Sequence, residues 1–281
     1  MKDVGYYNGN FGPIDEMMIP MNDRVVYFGD GVYEVTYANN HKLFAMEDHL
    51  ERFYNSLAKI KIDFKKSPEE LQSIIQEMVD KVDYDGEVLV YWQVSRGTAA
   101  RKHAFPENVE PNLLIYVKNV PLRNSDIPMK AITLEDTRFL HCDVKTLNLL
   151  PNVMASEEAR TKGCEEAILH RGDSVTEGSH SNISIIKNGK YITPPLSNLI
   201  LPSITRKHLL QICKENNIPV EERHFTISEL FDADEILCNS ASNMGSVIRE
   251  IDGKPVGGKA PEIVETIQKA FKERFLRETA K

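Results

Sequence analysis

The sequence predicts a mixed α+β chain in two parts, on three observations. Apolar runs rich in β-branched and aromatic residues, at 88–94 and 113–117, have the length and composition of buried strands. Other stretches repeat apolar residues at three- and four-residue spacing, the period of an amphipathic helix. Residues 119–128 follow neither period and carry Pro121 and Pro128, which places a boundary there. The expected layout is a small α+β domain over 1–120, a linker at 121–128 and a larger α+β domain over 129–281. A chain of 281 residues exceeds the common size of one domain and is long enough to bury a sizeable core.

Taken in order, the chain opens with Tyr6-Tyr7 and Phe11 around Asn8-Gly9, a dipeptide that favours a tight hairpin. Val25-Val26-Tyr27-Phe28 leads into 29–37, the two reading together as strand, and Asn39-Asn40 turns the chain back into a strand at Leu43-Phe44. Gly29 and Gly31 flank Asp30 and mark a bend or a close backbone approach. Tyr33, taken alone, reads as a core aromatic. From Glu47 the pattern becomes helical, with Leu50, Phe53, Leu57 and Ile60 on one stripe and His49 and Arg52 beside it. Ser67-Pro68-Glu69-Glu70 supplies an N-cap, a first-turn proline and a capping-box glutamate for a second helix. The strand runs 88–94 and 113–117 are joined by a basic connection, 96–111. It is too long for a plain hairpin and is a candidate functional loop.

In the second part the pattern predicts a strand at 129–134, a helix at 151–160 ended by Gly163, and a strand at 167–169. Residues 175–178 turn into a strand at 182–186, with a hairpin at Asn188-Gly189. A helix opens at 201–206 and runs towards Asn216, a short strand occupies 235–238, and a helix closes the chain at 260–277. There is no internal repeat and no low-complexity segment.

Composition excludes several function classes. Hydrophobic content of 41% and charged content of 27% are ordinary for a globular protein, and no apolar run approaches bilayer length. A net charge of -8 argues against nucleic acid as principal partner, because phosphate backbones require clustered positive charge. The start lacks the basic-then-apolar pattern of a secretory signal, so the cytoplasm is expected. Cys142, Cys164, Cys213 and Cys238 show no spacing suited to a metal and read as reduced thiols.

Candidate chemistry gathers around Asp143-Val144-Lys145-Thr146-Leu147-Asn148, where one lysine stands between an apolar strand and a helix start. A lysine that acts as a nucleophile must lose part of its ammonium hydration; alone, Lys145 reads as an ordinary solvated residue. Ser203-Ile204-Thr205 stands at a helix N-terminus, where unpaired N–H groups and a hydroxyl suit a phosphate. Ser240-Ala241-Ser242-Asn243 follows a strand with further small donors, and Glu177 is a carboxylate in a glycine-bearing turn. Each of these alone reads equally well as capping or turn chemistry.

Together, the lysine segment, Thr176-Glu177-Gly178-Ser179-His180-Ser181-Asn182 and Leu201-Pro202-Ser203-Ile204-Thr205-Arg206 resemble the fold type IV pyridoxal-phosphate enzymes, the branched-chain and D-amino acid aminotransferase family. His49-Leu50-Glu51-Arg52-Phe53 matches that family's phosphate-arginine segment, so the resemblance spans nearly the whole chain. It implies that Lys145 carries pyridoxal 5'-phosphate and shuttles the substrate's Cα proton. It also implies that Glu177 pairs with the pyridine nitrogen, that Arg52 binds the phosphate as a fork with Ile204, Thr205 and Ser240 as further donors, and that Leu201 packs on the ring.

The stretch from Arg96 to Pro106 looks like the substrate loop of D-amino acid aminotransferases. The resemblance implies that Arg101 and His103, with Tyr33, hold the substrate carboxylate, and that the loop reaches the neighbouring subunit of a homodimer. The implied reaction moves the amino group of a D-amino acid such as D-alanine to 2-oxoglutarate. Ala99-Ala100 replaces a common Ser-Pro, Ala241 a threonine, and His180, read as a polar turn residue, a small hydroxyl residue. Competing readings are an L-branched-chain aminotransferase, an aminodeoxychorismate lyase and a binding protein that keeps the fold without turnover.

Overall fold

The structure is a computed structural model describing all 281 residues. β1 (Val4–Tyr7) and β2 (Asn10–Gly12) form the hairpin expected at Asn8-Gly9. Both turn residues have positive φ, +45° and +96°, the twist that joins two strands closely. Residues 25–28 differ from expectation: Arg24–Phe28 is a short helix, α1. Asp23 caps it by accepting the Val25 N–H, and Gly29 stops it at φ +58°. A good cap and a left-handed stop here outweigh the strand preference of valine, tyrosine and phenylalanine.

β3 (Gly31–Asn39) and β4 (Lys42–Leu43) follow, then α2 (Met46–Lys59), α3 (Pro68–Asp80), β5 (Val88–Ser95) and β6 (Asn112–Lys118). α3 carries the capping box between Ser67 and Glu70 that the sequence predicts. The strands form an antiparallel sheet in the order β2-β1-β6-β5-β3-β4. Val88, Val90, Trp92 and Val94 of β5 alternate into the core, where they meet Leu50, Phe53 and Leu57 of α2 and Leu71, Ile75 and Met78 of α3. Full burial of side chains of this size contributes about 1.5–3 kcal/mol each. The opposite face of the sheet is only half covered, and there Tyr91 stacks on Tyr116 at 4.6 Å and on Tyr33 at 5.6 Å.

The chain divides into two units: Met1–Pro121 with Val144–Asn148 and Leu276–Lys281, and Leu122–Asp143 with Leu149–Phe275. The break after Pro121 falls at the aperiodic segment. The lysine segment, expected with the C-terminal domain, belongs to the first unit. β4 pairs only with Ala38 and Asn39, which leaves the start of β3 without a partner on that side. The segment 145–147 fills the gap: Tyr33 N–H donates to the Lys145 carbonyl at 2.9 Å, and Leu147 N–H to that of Gly31 at 3.1 Å. Main-chain pairing of this kind leaves no signature in side-chain pattern.

The second unit contains β7 (Met129–Glu135), α4 (Leu150–Thr161), β8 (Glu166–Arg171), β9 (Ser174–Gly178), β10 (Asn182–Lys187), β11 (Lys190–Thr193), α5 (Ile204–Glu215) and β12 (Val220–Glu222). α6 (Ile227–Phe231), β13 (Glu235–Asn239), β14 (Ser246–Ile251), β15 (Lys254–Pro255) and α7 (Pro261–Glu278) follow. Its nine strands run β12-β11-β10-β13-β14-β7-β8-β9, with β15 on β14. The parallel pairs are β11 with β12, β14 with β7 and β7 with β8. Gly178, at the end of β9, must be glycine: a Cβ there would lie 2.2 Å from the Ser181 hydroxyl and 2.9 Å from the Glu166 carboxylate. No helix is long and apolar enough to cross a membrane, and all four cysteines are free.

Candidate functional site

In the first unit, three polar side chains of α2 share its buried face: His49, Arg52 and Ser56, at helical spacing. The first two meet Glu34, which β3 turns inward while its neighbour Tyr33 takes the other face. Arg52 donates from Nε and Nη2 to the two Glu34 oxygens at 2.6 and 2.7 Å, and His49 Nδ1 donates to Oε2 at 2.8 Å. Burial pushes the Glu34 carboxyl up, but the Arg52 charge and these hydrogen bonds outweigh it and hold the group at about 2. Burial in turn pushes the His49 imidazole down. Arg52 is therefore a guanidinium already clasped by a carboxylate, where the sequence suggested an open fork for a phosphate.

Lys145 is half-buried between Val144 and Thr146, both buried. Its amine stands 4.2 Å from the centre of the Tyr33 ring, and its backbone N–H donates to Ser56 Oγ at 3.3 Å. The structure thus brings two expected site residues, Lys145 and Tyr33, together. Arg101 and His103 are exposed and gather elsewhere in this unit, on Phe28: the guanidinium lies 5.2 Å and the imidazole 5.3 Å from that ring.

The second unit holds Glu177, buried near the end of β9. Arg138 Nη1 donates to its Oε1. Oε2 accepts from Asn182 Nδ2 at 2.6 Å and from the Leu201 N–H at 2.9 Å. Burial drives the Glu177 carboxyl up to about 7, against the pull of Arg138 and the Leu201 N–H. Asp136, fully buried as a side chain, accepts from Arg138 Nε and Nη2 at 2.9 Å each and from Thr176 Oγ1 at 3.0 Å. Burial raises it too, yet the Arg138 hydrogen bonds and charge prevail and hold it at about 2.

Leu201, Ile204 and Thr205 lie around the start of α5, whose N-cap Ser203 accepts the Arg206 N–H at 3.3 Å; Ile204 and Thr205 are buried in its first turn. Ser240 follows β13, and its hydroxyl pairs with that of Ser242 at 3.1 Å. His180 is about half exposed, with Nδ1 2.9 Å from Ser179 Oγ, as expected of a polar turn residue.

Glu34 and Asp136 have no role in the sequence reading, and Arg138, near the lysine segment, none beyond support of it. Glu34 had a signal, a carboxylate at an inward position of an apolar strand. Asp136 and Arg138 had only the short spacing of acid and base after a strand, common enough to point nowhere. Asn182 was quoted within a motif without a role; it ties Glu177 to the chain before α5 by also donating to the Leu201 carbonyl at 3.3 Å.

Residues 31–251 match the family described as Amino-transferase class IV. The chain is 40% identical over 272 residues to a D-alanine aminotransferase of Staphylococcus aureus strain MSSA476, covering 95% of this chain and 96% of the relative. It is 38% identical over 278 residues to a D-alanine aminotransferase of Bacillus licheniformis, covering 98% of each. Among solved structures, the branched-chain aminotransferase of Thermoproteus uzoniensis with norvaline superposes with a TM-score of 0.89 at 25% identity, over 98% of this chain and 95% of that one. The Escherichia coli branched-chain amino acid aminotransferase, at 21% identity and a TM-score of 0.90 over 100% and 97% of the two chains, shares the fold. The chain belongs to the class IV aminotransferases.

Proposed function

We infer that this protein is a pyridoxal 5'-phosphate-dependent D-amino acid aminotransferase. It moves the amino group of a D-amino acid such as D-alanine to 2-oxoglutarate, giving a 2-oxo acid and D-glutamate. The observation that carries the reading is the near full-length likeness, at about 40% identity, to relatives named D-alanine aminotransferase.

The donor set fits the cofactor. A half-buried amine suits its aldehyde, and the first turn of α5 suits its phosphate. Glu177, more basic than an ordinary carboxylate, suits a protonated ring nitrogen. Asn182 Oδ1, buried beside Glu177 with no hydrogen-bond partner, leaves that cluster one donor short and suits a ligand that brings an N–H. When bound, the cofactor supplies the electron sink that lets an amino acid give up its Cα proton.

Lys145 would hold the cofactor and, once free, carry the proton to and from the substrate Cα. Glu177 keeps the ring nitrogen protonated, held in place by Arg138, Asn182 and the Leu201 N–H. Arg52, a positive group fixed by Glu34, would hold the phosphate with Ile204, Thr205 and Ser240 as donors, and Leu201 would pack on the ring. Arg101 and His103, with Tyr33, bind the substrate carboxylate and so select which enantiomer presents its Cα–H to Lys145.

A homodimer belongs to the same reading, with the Arg101 loop serving the neighbouring subunit. The exposed apolar stripe of Leu150, Val153 and Met154 along α4, 59–70% exposed, supports a subunit contact. A cytoplasmic setting, in which the four free cysteines stay reduced, completes it.

The test is the absorbance of the purified holoenzyme mixed with D-alanine or with L-leucine. Loss of the lysine-linked cofactor band with D-alanine, and not with L-leucine, is expected. Conversion by L-leucine alone overturns the stereochemical assignment, and absence of any band after adding cofactor overturns the enzyme reading.

A further inference from the structure

Asp30 is shared by two buried arginines that reach it from separate parts of the first unit. Arg24 of α1 donates from Nε to Asp30 Oδ2 at 2.7 Å, and Arg96, just after β5, donates from Nε to both oxygens at 2.9 and 3.1 Å. Each arginine also reaches the basic loop. Arg24 Nη1 donates to the Lys102 carbonyl at 2.7 Å, and the Arg96 guanidinium lies 3.6 Å over the Phe105 ring. Arg96 is anchored on its far side, donating to the carbonyls of Lys61 and Ile60 at 2.9 and 2.8 Å. Phe28, two residues before Asp30, is the ring on which Arg101, His103 and Arg24 gather.

Residues 101–105 are exposed and belong to no helix or strand, so ladder hydrogen bonds do not fix them. Their tied points, Lys102 and Phe105, bracket His103 and directly follow Arg101. A carboxylate shared by two guanidiniums fixes both planes and supplies the counter-charge that lets both stay buried; without it, each becomes an uncompensated buried cation. We infer that Asp30 is a positioning residue for the substrate carboxylate: through Arg24 and Arg96 it sets where Arg101 and His103 stand. The inference rests on the carboxylate role given above to those two residues. A loop displaced by about 1 Å can weaken an oriented contact by up to about a hundredfold. The loss falls on substrate binding, because Lys145 and Glu177 are untouched.

The experiment compares wild-type, Asp30→Asn, Arg24→Gln and Arg101→Ala holoenzymes in two measurements. One is kcat and KM for D-alanine; the other is hydrogen–deuterium exchange of the peptide spanning 101–105. For Asp30→Asn, KM rises about ten- to a hundredfold with kcat within about threefold, and loop exchange accelerates. Arg101→Ala raises KM without a comparable change in exchange. If Arg101→Ala raises KM and Asp30→Asn changes neither KM nor exchange, the inference falls while the functional reading stands. A fall in kcat at unchanged KM for Asp30→Asn also overturns it. If Arg101→Ala leaves KM unchanged, the carboxylate reading fails and takes this inference with it. Should Asp30→Asn give no folded holoenzyme, Arg24→Gln keeps the Asp30–Arg96 pair, severs the tie to Lys102, and carries the same two readouts in the same direction.

Discussion

Replacing Glu34 by glutamine tests the first-unit cluster where its energetics are most exposed. Glu34 has no exposed side-chain surface and serves Arg52 at two atoms and His49 at a third. Its carboxyl is held at about 2 against an ordinary 4.5. At about 1.36 kcal/mol per pH unit, that difference amounts to about 3 kcal/mol of folding stability. Because the folded-state value is depressed, the contribution is fully present above pH 4.5 and is lost as pH falls towards 2. Glu34→Gln removes it at every pH and leaves Arg52 without its counter-charge, so the variant is less stable than wild type by about 3 kcal/mol at pH 7. Urea unfolding of apoprotein at several pH values between 3 and 7 reads the gap. It should be constant from pH 7 to 5 and narrow below 4.5 by about 1.4 kcal/mol per pH unit. A gap that does not change with pH shows that the loss is one of packing and refutes the ion-pair account.

Three further outcomes follow from the assigned roles. Glu177 has the opposite sign: its folded-state carboxyl stands at about 7, so apoprotein loses stability as pH rises from 4.5 to 7, by about 3 kcal/mol from this group. Glu177→Gln should flatten that decline, and melting temperatures at pH 5 and pH 8 measure it; an unchanged slope rejects the raised value. Lys145→Ala should abolish both the lysine-linked cofactor band and transamination, checked by absorbance and by oxo-acid production from D-alanine. Arg101→Ala should raise KM for D-alanine by about ten- to a hundredfold, the cost of one charge-assisted hydrogen bond, with the cofactor spectrum intact.

Much of the fold was legible because it rests on local chemistry. The Ser67–Glu70 capping box, the Asn8-Gly9 and Asn188-Gly189 turns and the α2 stripe of Leu50, Phe53 and Leu57 all act within a few residues of chain. α1 was misread because its valines and aromatics favour extended chain, while the decisive Asp23 cap and Gly29 stop lie outside the run. The sequence marks the lysine segment but hides its place in the first unit, since backbone pairing with the start of β3 depends on β4 being short. The sequence marks Arg52 as well, but Glu34, the group it clasps, lies 18 positions away, and sequence does not report which partner reaches a guanidinium first.

Asp136 and Glu177 show why the second-unit cluster needed a structure. Both carboxylates are buried and both touch Arg138, yet they end at opposite limits, about 2 and about 7. Burial, deeper at Glu177, raises that carboxyl most, and the donors are shared unequally between the two. Asp136 takes two nitrogens of Arg138, the Arg138 backbone N–H, and contacts from Arg171 and Thr176. Glu177 receives one guanidinium nitrogen, one amide and one backbone N–H against nearly complete burial. Burial also disfavours the Arg138 charge, but Asp136 and Glu177 outweigh it, and the guanidinium stays firmly protonated. Asp136 offsets part of the Arg138 charge, and Glu177, raised chiefly by burial, remains a stronger base than a fully compensated carboxylate. A ring nitrogen that must stay protonated through a catalytic cycle needs such a neighbour. If Arg138 were free of Asp136, its full charge would lower the Glu177 carboxyl, so Asp136 acts on the basicity of Glu177 through Arg138.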